Sequence, residues 1–227
     1  MKPALIFDLD GTLFDSRESI LESIRHALSK IGRREQVDEI KAVRQDLFTT
    51  LRETAAKYGT RFSDEERFRF IRAYRAHQKD TVRSTIKVFD GVREGLSELR
   101  EFFALGVATT KTSDQAIHIL QEFELDSFFD HVQGTDKGLK YKPAPDILWR
   151  VAEKLSVPSD RSVYIGDSPH DLVAARSAGM AAVGAAYGYS ELHELTAHEP
   201  DAVIHRFREV LDLPHYLTAG QMRLYSQ

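Results

Sequence analysis

The sequence has no cysteine, no long hydrophobic run and no excess of positive charge among its 227 residues. A chain without cysteine is not a disulfide-stabilised secreted scaffold. No stretch approaches the roughly 20 apolar residues of a membrane span, or the run of about 7–15 in a signal peptide. Because the formal net charge is −4, binding to nucleic acid through bulk positive charge is not expected. We expect a cytoplasmic protein with neither membrane nor nucleic acid as a partner.

The chain does have enough apolar residues for a folded core, since hydrophobic residues make up 42% of it. Disordered proteins contain fewer. Short apolar runs alternate with segments of helical pattern, and these runs lie at residues 4–7, 105–108, 162–165, 181–183 and 202–204. Such runs are typical of strands buried on both faces, and their alternation with helices predicts a mostly parallel sheet between two helical layers. The expected fold class is therefore α/β with three layers.

Residues 16–84 interrupt this alternation and show only helical patterns. Capping boxes precede two apolar-periodic segments, one around Ser16 and one at Ser63. This insert carries 16 Lys/Arg against 11 Asp/Glu, a net charge of +5, whereas the remainder carries 15 against 24, a net charge of −9. The asymmetry could attract an anion bridged by a metal, or could equally reflect solvated helix faces. We expect a discontinuous α/β core of residues 1–15 and 85–227, and a helical domain of residues 16–84.

Two aspartates, Asp8 and Asp10, come directly after the first apolar run, and Gly11 follows them. Ligands of open parallel sheets bind just beyond the carboxyl ends of the strands, where these carboxylates would lie. Asp8, at the strand tip, could supply a nucleophilic oxygen, and Asp10 could act as general acid and base. Taken alone, an Asp-x-Asp pair is more often a simple turn, so this hypothesis depends on what the other strand ends carry.

Hydroxyl and ammonium groups follow at later boundaries of the pattern. Thr109 and Thr110 end the second apolar run, where a hydroxyl and a backbone amide could hold phosphate oxygens or simply cap the next helix. Lys142 precedes a proline, which favours an extended backbone ahead of a helix. A lysine held there could neutralise a phosphate or a carboxylate, although Lys137 and Lys140 compete for the role.

A second pair of carboxylates, Asp167 and Asp171, lies where the run at residues 162–165 meets a helical segment. Mg²⁺ prefers oxygen ligands, usually one or two carboxylates completed by water and phosphate oxygens. The pair therefore predicts a site that binds or orients a hard cation. His170, between them, is interpreted as a bystander, because an oxygen-preferring metal does not require it.

Taken together, these strand ends resemble the haloacid dehalogenase superfamily of phosphohydrolases over nearly the whole chain. The first motif of that family matches the segment Asp8-Leu9-Asp10-Gly11-Thr12-Leu13. The second, third and fourth motifs match Thr109, Lys142, and the pair Asp167 and Asp171. The combination is highly specific, whereas none of the later motifs would be on its own.

The resemblance implies a Rossmann-like core in which residues 16–84 form an inserted helical cap. It also implies a Mg²⁺ cofactor, with Asp171 orienting the metal's water ligands or Lys142. The implied metal ligands are Asp8, the backbone carbonyl of Asp10, and Asp167. The implied phosphate-binding residues are Thr109, Thr110 and Lys142.

Within that superfamily the chain is similar to the phosphoglycolate phosphatase-like branch, through the segments Lys142-Pro143-Ala144-Pro145 and Tyr187-Gly188-Tyr189. The segment Phe89-Asp90-Gly91 stands where Pro-Gly is common in that branch, and residues 43–47 lack a glycine often found there. The branch implies 2-phosphoglycolate as one candidate among small phosphomonoesters. Arg44 is the cap residue selected for contact with a carboxylate of the substrate.

The expected function is hydrolysis of a small phosphorylated metabolite through an aspartyl-phosphate on Asp8, by a monomer or a homodimer. One alternative is a sugar-phosphate mutase, a phosphotransferase that would use the same core. Another is a phospho-accepting signalling domain, which also surrounds an aspartate with acidic, hydroxyl and lysine side chains but has no large helical insert. A dehalogenase is set aside because that branch of the superfamily has no aspartate at the position of Asp10.

Overall fold

The structure, a computed structural model, describes residues 2–33 and 62–213. The chain divides into two compact units: a core unit of residues 1–15 and 88–227, and a helical unit of residues 16–87. Each unit has its own cluster of buried hydrophobic side chains. Among the described residues, no helix combines the length and the apolar character needed to span a membrane.

A six-stranded parallel sheet forms the centre of the core unit. In chain order the strands are β1 (Ala4–Phe7), β2 (Phe14–Asp15), β3 (Lys87–Val88), β4 (Ala104–Ala108), β5 (His131–Gln133), β6 (Ser162–Gly166), β7 (Ala181–Ala185) and β8 (Ala202–Ile204). The sheet has the order β5-β4-β1-β6-β7-β8, and β2 pairs with β3 separately. Phe7 of β1 lies opposite both Val107 of β4 and Ile165 of β6. The residues that follow these three strands therefore emerge side by side at one edge of the sheet.

Helices flank this sheet and connect its parallel strands. Within the described residues the helices are α1 (Arg17–Lys30), α2 (Asp64–Thr85), α3 (Val92–Leu99), α4 (Ser113–Glu122), α5 (Asp146–Leu155), α6 (Pro169–Ala178) and α7 (Leu192–Thr196). Short 3₁₀ helices lie at Asp126–Phe128, Ser159–Arg161 and Phe207–Asp212. The predicted α/β class, with a parallel sheet between helical layers, is confirmed.

The sequence of strand β1 is apolar without interruption because both of its faces are buried. Successive side chains of a strand point to opposite faces of the sheet. Ile6 packs in a buried cluster with Leu148 of α5 and Leu172 of α6. Phe7 packs instead against the ring of Phe207, with 5.6 Å between the ring centroids. Both faces of β1 are thus covered, and its carboxyl end is the point where polar residues first appear.

The helical unit is held together by the packing of α1 against α2, whose buried side chains include Ile24 and Tyr74. The capping box at the start of α2 is formed as predicted. Ser63 Oγ accepts the N–H of Glu66 at 3.2 Å, and Glu66 Oε2 accepts the N–H of Ser63 at 2.8 Å. The other predicted box is wrong, because α1 begins after Ser16 without a capping hydrogen bond from its side chain.

Candidate active site

The loop after β1 carries Asp8 and Asp10 and turns back at once, since the N–H of Gly11 donates to the carbonyl of Phe14 at 2.8 Å. Gly11 has a φ of +77°, a conformation that residues with a side chain rarely adopt. A Cβ at this position would also overlap the carboxylate of Asp167. Glycine is therefore needed both for the turn and for the close approach of the loop to Asp167.

Lys142 is the centre of a buried group of polar side chains. Its ammonium nitrogen lies 2.8 Å from Asp8 Oδ1 and 2.6 Å from Asp171 Oδ1. It also donates to the hydroxyl of Tyr164 at 2.9 Å. Burial lowers the pKa of Lys142, but the carboxylates of Asp171 and Asp8 raise it by more, to above its ordinary value. Lys142 is therefore a permanent cation beside Asp8.

Asp171 is held by hydrogen bonds at both of its carboxylate oxygens. Its Oδ1 accepts from Lys142, and its Oδ2 accepts from Ser168 Oγ at 2.6 Å and from the Ser168 N–H at 3.0 Å. The N–H of Asp171 donates in return to Ser168 Oγ at 3.3 Å, which completes the capping box at the start of α6. The beginning of α6 thus fixes the carboxylate that contacts Lys142.

Asp167 lies directly after β6 and is 1% exposed. Its Oδ2 accepts the N–H of Tyr189 at 2.8 Å. Gly188 packs so closely that a Cβ there would overlap the side chain of Asp167 and the carbonyl of Gly11. The loop after β7 therefore holds Asp167 against the loop after β1.

Asp8, Asp167 and Asp171 each offer an oxygen within 4.8 Å of the others, a spacing that could hold a metal ion. Burial raises the pKa of Asp8 to about 7, although Lys142 acts in the opposite direction. Burial, followed by the Asp171 and Asp8 carboxylates, raises the pKa of Asp167 well above its ordinary value. One lysine thus faces three buried carboxylates, and uncompensated buried charge is costly. The donor set fits a divalent cation, which prefers carboxylate oxygens and would supply the missing positive charge.

Asp10 is paired with a different lysine, because its Oδ2 lies 2.8 Å from the ammonium nitrogen of Lys111. Lys111 follows the two threonines at the end of β4. Its backbone N–H donates to Thr109 Oγ1 at 3.3 Å. Thr109 is buried and Thr110 is half-buried. The ion pair therefore connects the loop after β1 with the loop after β4.

The structure brings most of the predicted site residues into two connected groups. Asp8, Lys142, Asp167 and Asp171 form the buried cluster, and Asp10 is joined through Lys111 to Thr109 and Thr110. Arg44, the residue predicted to contact the substrate, lies outside the described residues. The roles assigned to these residues in catalysis and in ligand binding stay predictions.

Two residues of the site, Tyr164 and Lys111, were assigned no role from the sequence. Tyr164 stands in an apolar strand, where a tyrosine is usually read as a core residue. A buried phenol nevertheless needs a hydrogen-bond partner, and that requirement is a usable signal so close to Asp167. Lys111 is adjacent to the threonine pair, and its position gave no indication that it would contact Asp10.

The packing of Gly188 against Asp167 gives a testable consequence for stability. Gly188→Ala should lower the free energy of unfolding by about 1–3 kcal/mol, the usual cost of overpacking a rigid site. Gly184→Ala is the matched control, since its Cβ would meet Leu195 at an ordinary 3.5 Å. Urea denaturation of both variants measures the difference. Equal stabilities would show that the Gly188 loop yields easily and does not hold Asp167.

Comparison with known proteins shows similarity along nearly the whole chain. The sequence profile of the haloacid dehalogenase-like hydrolases matches residues 5–185. The chain is 33% identical over 221 residues to "Probable phosphatase IndB" of Dickeya dadantii (strain 3937), covering 96% of this chain and 95% of that protein. It is 29% identical over 218 residues to a phosphoglycolate phosphatase of Pseudomonas syringae pv. tomato, covering 91% of this chain and 78% of that protein.

A solved structure also matches the fold. The crystal structure of "a predicted phosphatase" from Clostridium acetobutylicum superposes with a TM-score of 0.82 at 28% identity. The match covers 96% of this chain and 100% of the other. The similarity therefore extends beyond the motifs around the site to both units of the chain.

Proposed function

Because this chain belongs to the haloacid dehalogenase-like hydrolases, we propose that it is a Mg²⁺-dependent phosphoric monoester hydrolase that works through an aspartyl-phosphate on Asp8. One observation carries the proposal. The buried Asp8 carboxylate lies at the tip of β1, 2.8 Å from the Lys142 ammonium and within 4.8 Å of two further carboxylates. An anionic nucleophile beside a fixed cation is the arrangement that transfer of a charged phosphoryl group requires.

The reaction takes two displacements at phosphorus. In the first, an oxygen of Asp8 forms a bond to phosphorus while the bond to the ester oxygen breaks, and the departing oxygen takes a proton from Asp10. In the second, Asp10 accepts a proton from water, whose oxygen attacks phosphorus and releases Asp8. Thr109, the Thr110 amide and Lys142 stabilise the negative charge on the equatorial oxygens of the phosphoryl group.

The proposed ligands of Mg²⁺ are Asp8, the backbone carbonyl of Asp10, and Asp167. A bound divalent cation neutralises the repulsion between the nucleophile and an anionic phosphate. Asp171 is assigned a supporting role, because both of its oxygens already accept hydrogen bonds from Lys142 and Ser168. Its contribution is to hold Lys142 in place.

The proposed substrate is a small phosphorylated metabolite, and residues 16–84 are proposed to act as the cap domain. The relative from Pseudomonas syringae is named a phosphoglycolate phosphatase, which supports 2-phosphoglycolate as the first compound to assay. Arg44 is retained as the proposed contact to a substrate carboxylate. A ranking of phosphorylated metabolites by kcat/KM identifies the preferred substrate.

The assay that tests hydrolysis uses p-nitrophenyl phosphate and counts phosphate released per chain. We expect repeated turnover, with inorganic phosphate as the product. A signalling domain would take up one phosphate per chain and stop, and a mutase would transfer the group to a sugar hydroxyl instead of water. Membership of a hydrolase family favours the first outcome over both alternatives.

The metal dependence is a separate prediction. Activity should require Mg²⁺ and should be lost when a chelator is added, because three buried carboxylates then face one lysine without compensation. Ca²⁺ should inhibit, since it accepts more ligands and could engage both oxygens of Asp8, including the one that must attack. Steady-state rates in chelator, Mg²⁺ and Ca²⁺ give the comparison. Full activity in chelator would refute the metal assignment.

A further inference from the structure

The hydroxyl of Tyr164 lies where the ends of β4 and β6 meet the buried lysine. Tyr164 is 1% exposed. Its hydroxyl donates to the carbonyl of Ala108 at 2.7 Å and accepts from the Lys142 ammonium at 2.9 Å. Asp171 Oδ1 lies at the longer distance of 3.2 Å. Because the hydroxyl proton is directed at Ala108, the oxygen lone pairs remain for Lys142.

An ammonium has three N–H donors, and Lys142 uses donors in hydrogen bonds to Tyr164 and Asp171. Its nitrogen also lies 2.8 Å from Asp8 Oδ1, in an ion pair. Asp171 is itself fixed by Ser168, and the Tyr164 hydroxyl is fixed by a strand carbonyl. Two rigid acceptors therefore hold the ammonium of Lys142 beside the reacting carboxylate.

We propose that Tyr164 is a positioning residue, whose hydroxyl helps to hold the Lys142 ammonium beside Asp8 and the phosphoryl group bound there. The inference rests on the proposed function of the site. When Asp8 is phosphorylated, its carboxyl group loses its own negative charge and attracts Lys142 less strongly. Tyr164 and Asp171 then keep the ammonium directed at the transferring group. Without the phenol, one rigid acceptor remains and the ammonium can rotate away.

The two hydrogen bonds of the hydroxyl can be separated by substitution. Tyr164→Phe removes both the bond to Ala108 and the acceptor for Lys142. Tyr164→p-aminophenylalanine, introduced site-specifically, keeps an N–H donor for Ala108, but its nitrogen lone pair is delocalised into the ring and is a poor acceptor. Ser162→Ala is the matched control, because it removes a hydroxyl that donates to the carbonyl of Pro158 at 3.0 Å from the opposite end of the same strand, β6.

The experiment measures kcat and KM with p-nitrophenyl phosphate in Mg²⁺, the affinity for orthovanadate by calorimetry, and the melting temperature. Orthovanadate is the probe because analogues of the transition state report interactions that strengthen there. For Tyr164→Phe we expect kcat to fall about tenfold or more, KM to change little, and orthovanadate binding to weaken by a similar factor. The p-amino variant should show the same kinetic loss with a melting temperature nearer to wild type. Ser162→Ala should lower the melting temperature without the loss in kcat.

Recovery of kcat and orthovanadate affinity in the p-amino variant would overturn the inference, because the Ala108 bond would then be the one that matters. Unchanged kinetics in Tyr164→Phe would overturn it as well. If Tyr164→Phe does not fold, the p-amino variant carries the test. If the wild type hydrolyses no phosphate ester, the proposed function fails separately. The calorimetric comparison with orthovanadate still decides whether Tyr164 directs Lys142 towards a phosphate-like anion.

Discussion

Asp8→Asn is expected to lower kcat for phosphate esters by roughly 10⁶-fold, a loss of the size seen when a catalytic nucleophile is removed. The amide cannot attack phosphorus, and it also replaces a proposed metal ligand. Two functions are lost at one position, so the effect should be the same for alkyl and aryl phosphates. Steady-state rates with both classes of substrate measure it. Asp130→Asn is the control. Asp130 precedes β5, so it lies at the amino ends of the strands, whereas the site lies at their carboxyl ends, and it accepts the N–H of Leu105 at 2.9 Å.

Asp8→Asn should not be less stable than the wild type in metal-free buffer. Burial raises the pKa of Asp8 to about 7, so the ionised carboxylate is disfavoured at this position and a neutral amide avoids that cost. Urea denaturation at neutral pH separates lost chemistry from lost folding. An inactive variant that is also strongly destabilised would not support Asp8 as the nucleophile, and an active one would exclude it.

Asp10→Asn should have a different signature, because it removes proton transfer and leaves the nucleophile in place. General acid–base catalysis contributes typically about 10²–10⁴-fold, and a loss of that size is expected with alkyl phosphates. The loss should shrink as the leaving group becomes more acidic, since p-nitrophenolate departs without a proton. A series of esters graded by leaving-group pKa tests the slope.

With p-nitrophenyl phosphate, the second displacement should become the slow step in Asp10→Asn, because water still needs a base. A burst of p-nitrophenol, equal to one per chain and followed by a slow phase, is therefore expected from rapid mixing. Equal losses across the whole series of esters would contradict the role of Asp10 as the acid. In that case the ion pair with Lys111 would be the more important property of Asp10.

The central strands could be predicted from the sequence because burial on both faces leaves a simple apolar signal. The runs at residues 4–7, 105–108 and 162–165 correspond closely to β1, β4 and β6. The edge strand β5 was missed. Its three residues, His131–Gln133, are only partly buried, and a partly buried strand tolerates polar side chains. Because two of the three residues are polar, no apolar run marks the strand.

The candidate site could be predicted in its residue types but not in its contacts. Asp8 and Lys142 lie far apart in sequence, and only the parallel sheet brings the residues after β1 to the carboxylates after β6. The order of motifs along the chain does not show that Lys142 contacts Asp8 and Asp171 together, or that Asp10 pairs with Lys111. Those pairings depend on loop conformation, such as the positive φ of Gly11, which local sequence patterns do not define.

Trapping the covalent intermediate tests the proposed mechanism most directly. Asp10→Asn protein is mixed with p-nitrophenyl phosphate and Mg²⁺, quenched rapidly in acid, and analysed by intact mass and by peptide mapping. We expect one phosphoryl group per chain, located on Asp8, and none in the double variant that also carries Asp8→Asn. Phosphate on another residue, or on the protein that lacks the Asp8 carboxylate, would contradict the assignment of Asp8 as the nucleophile.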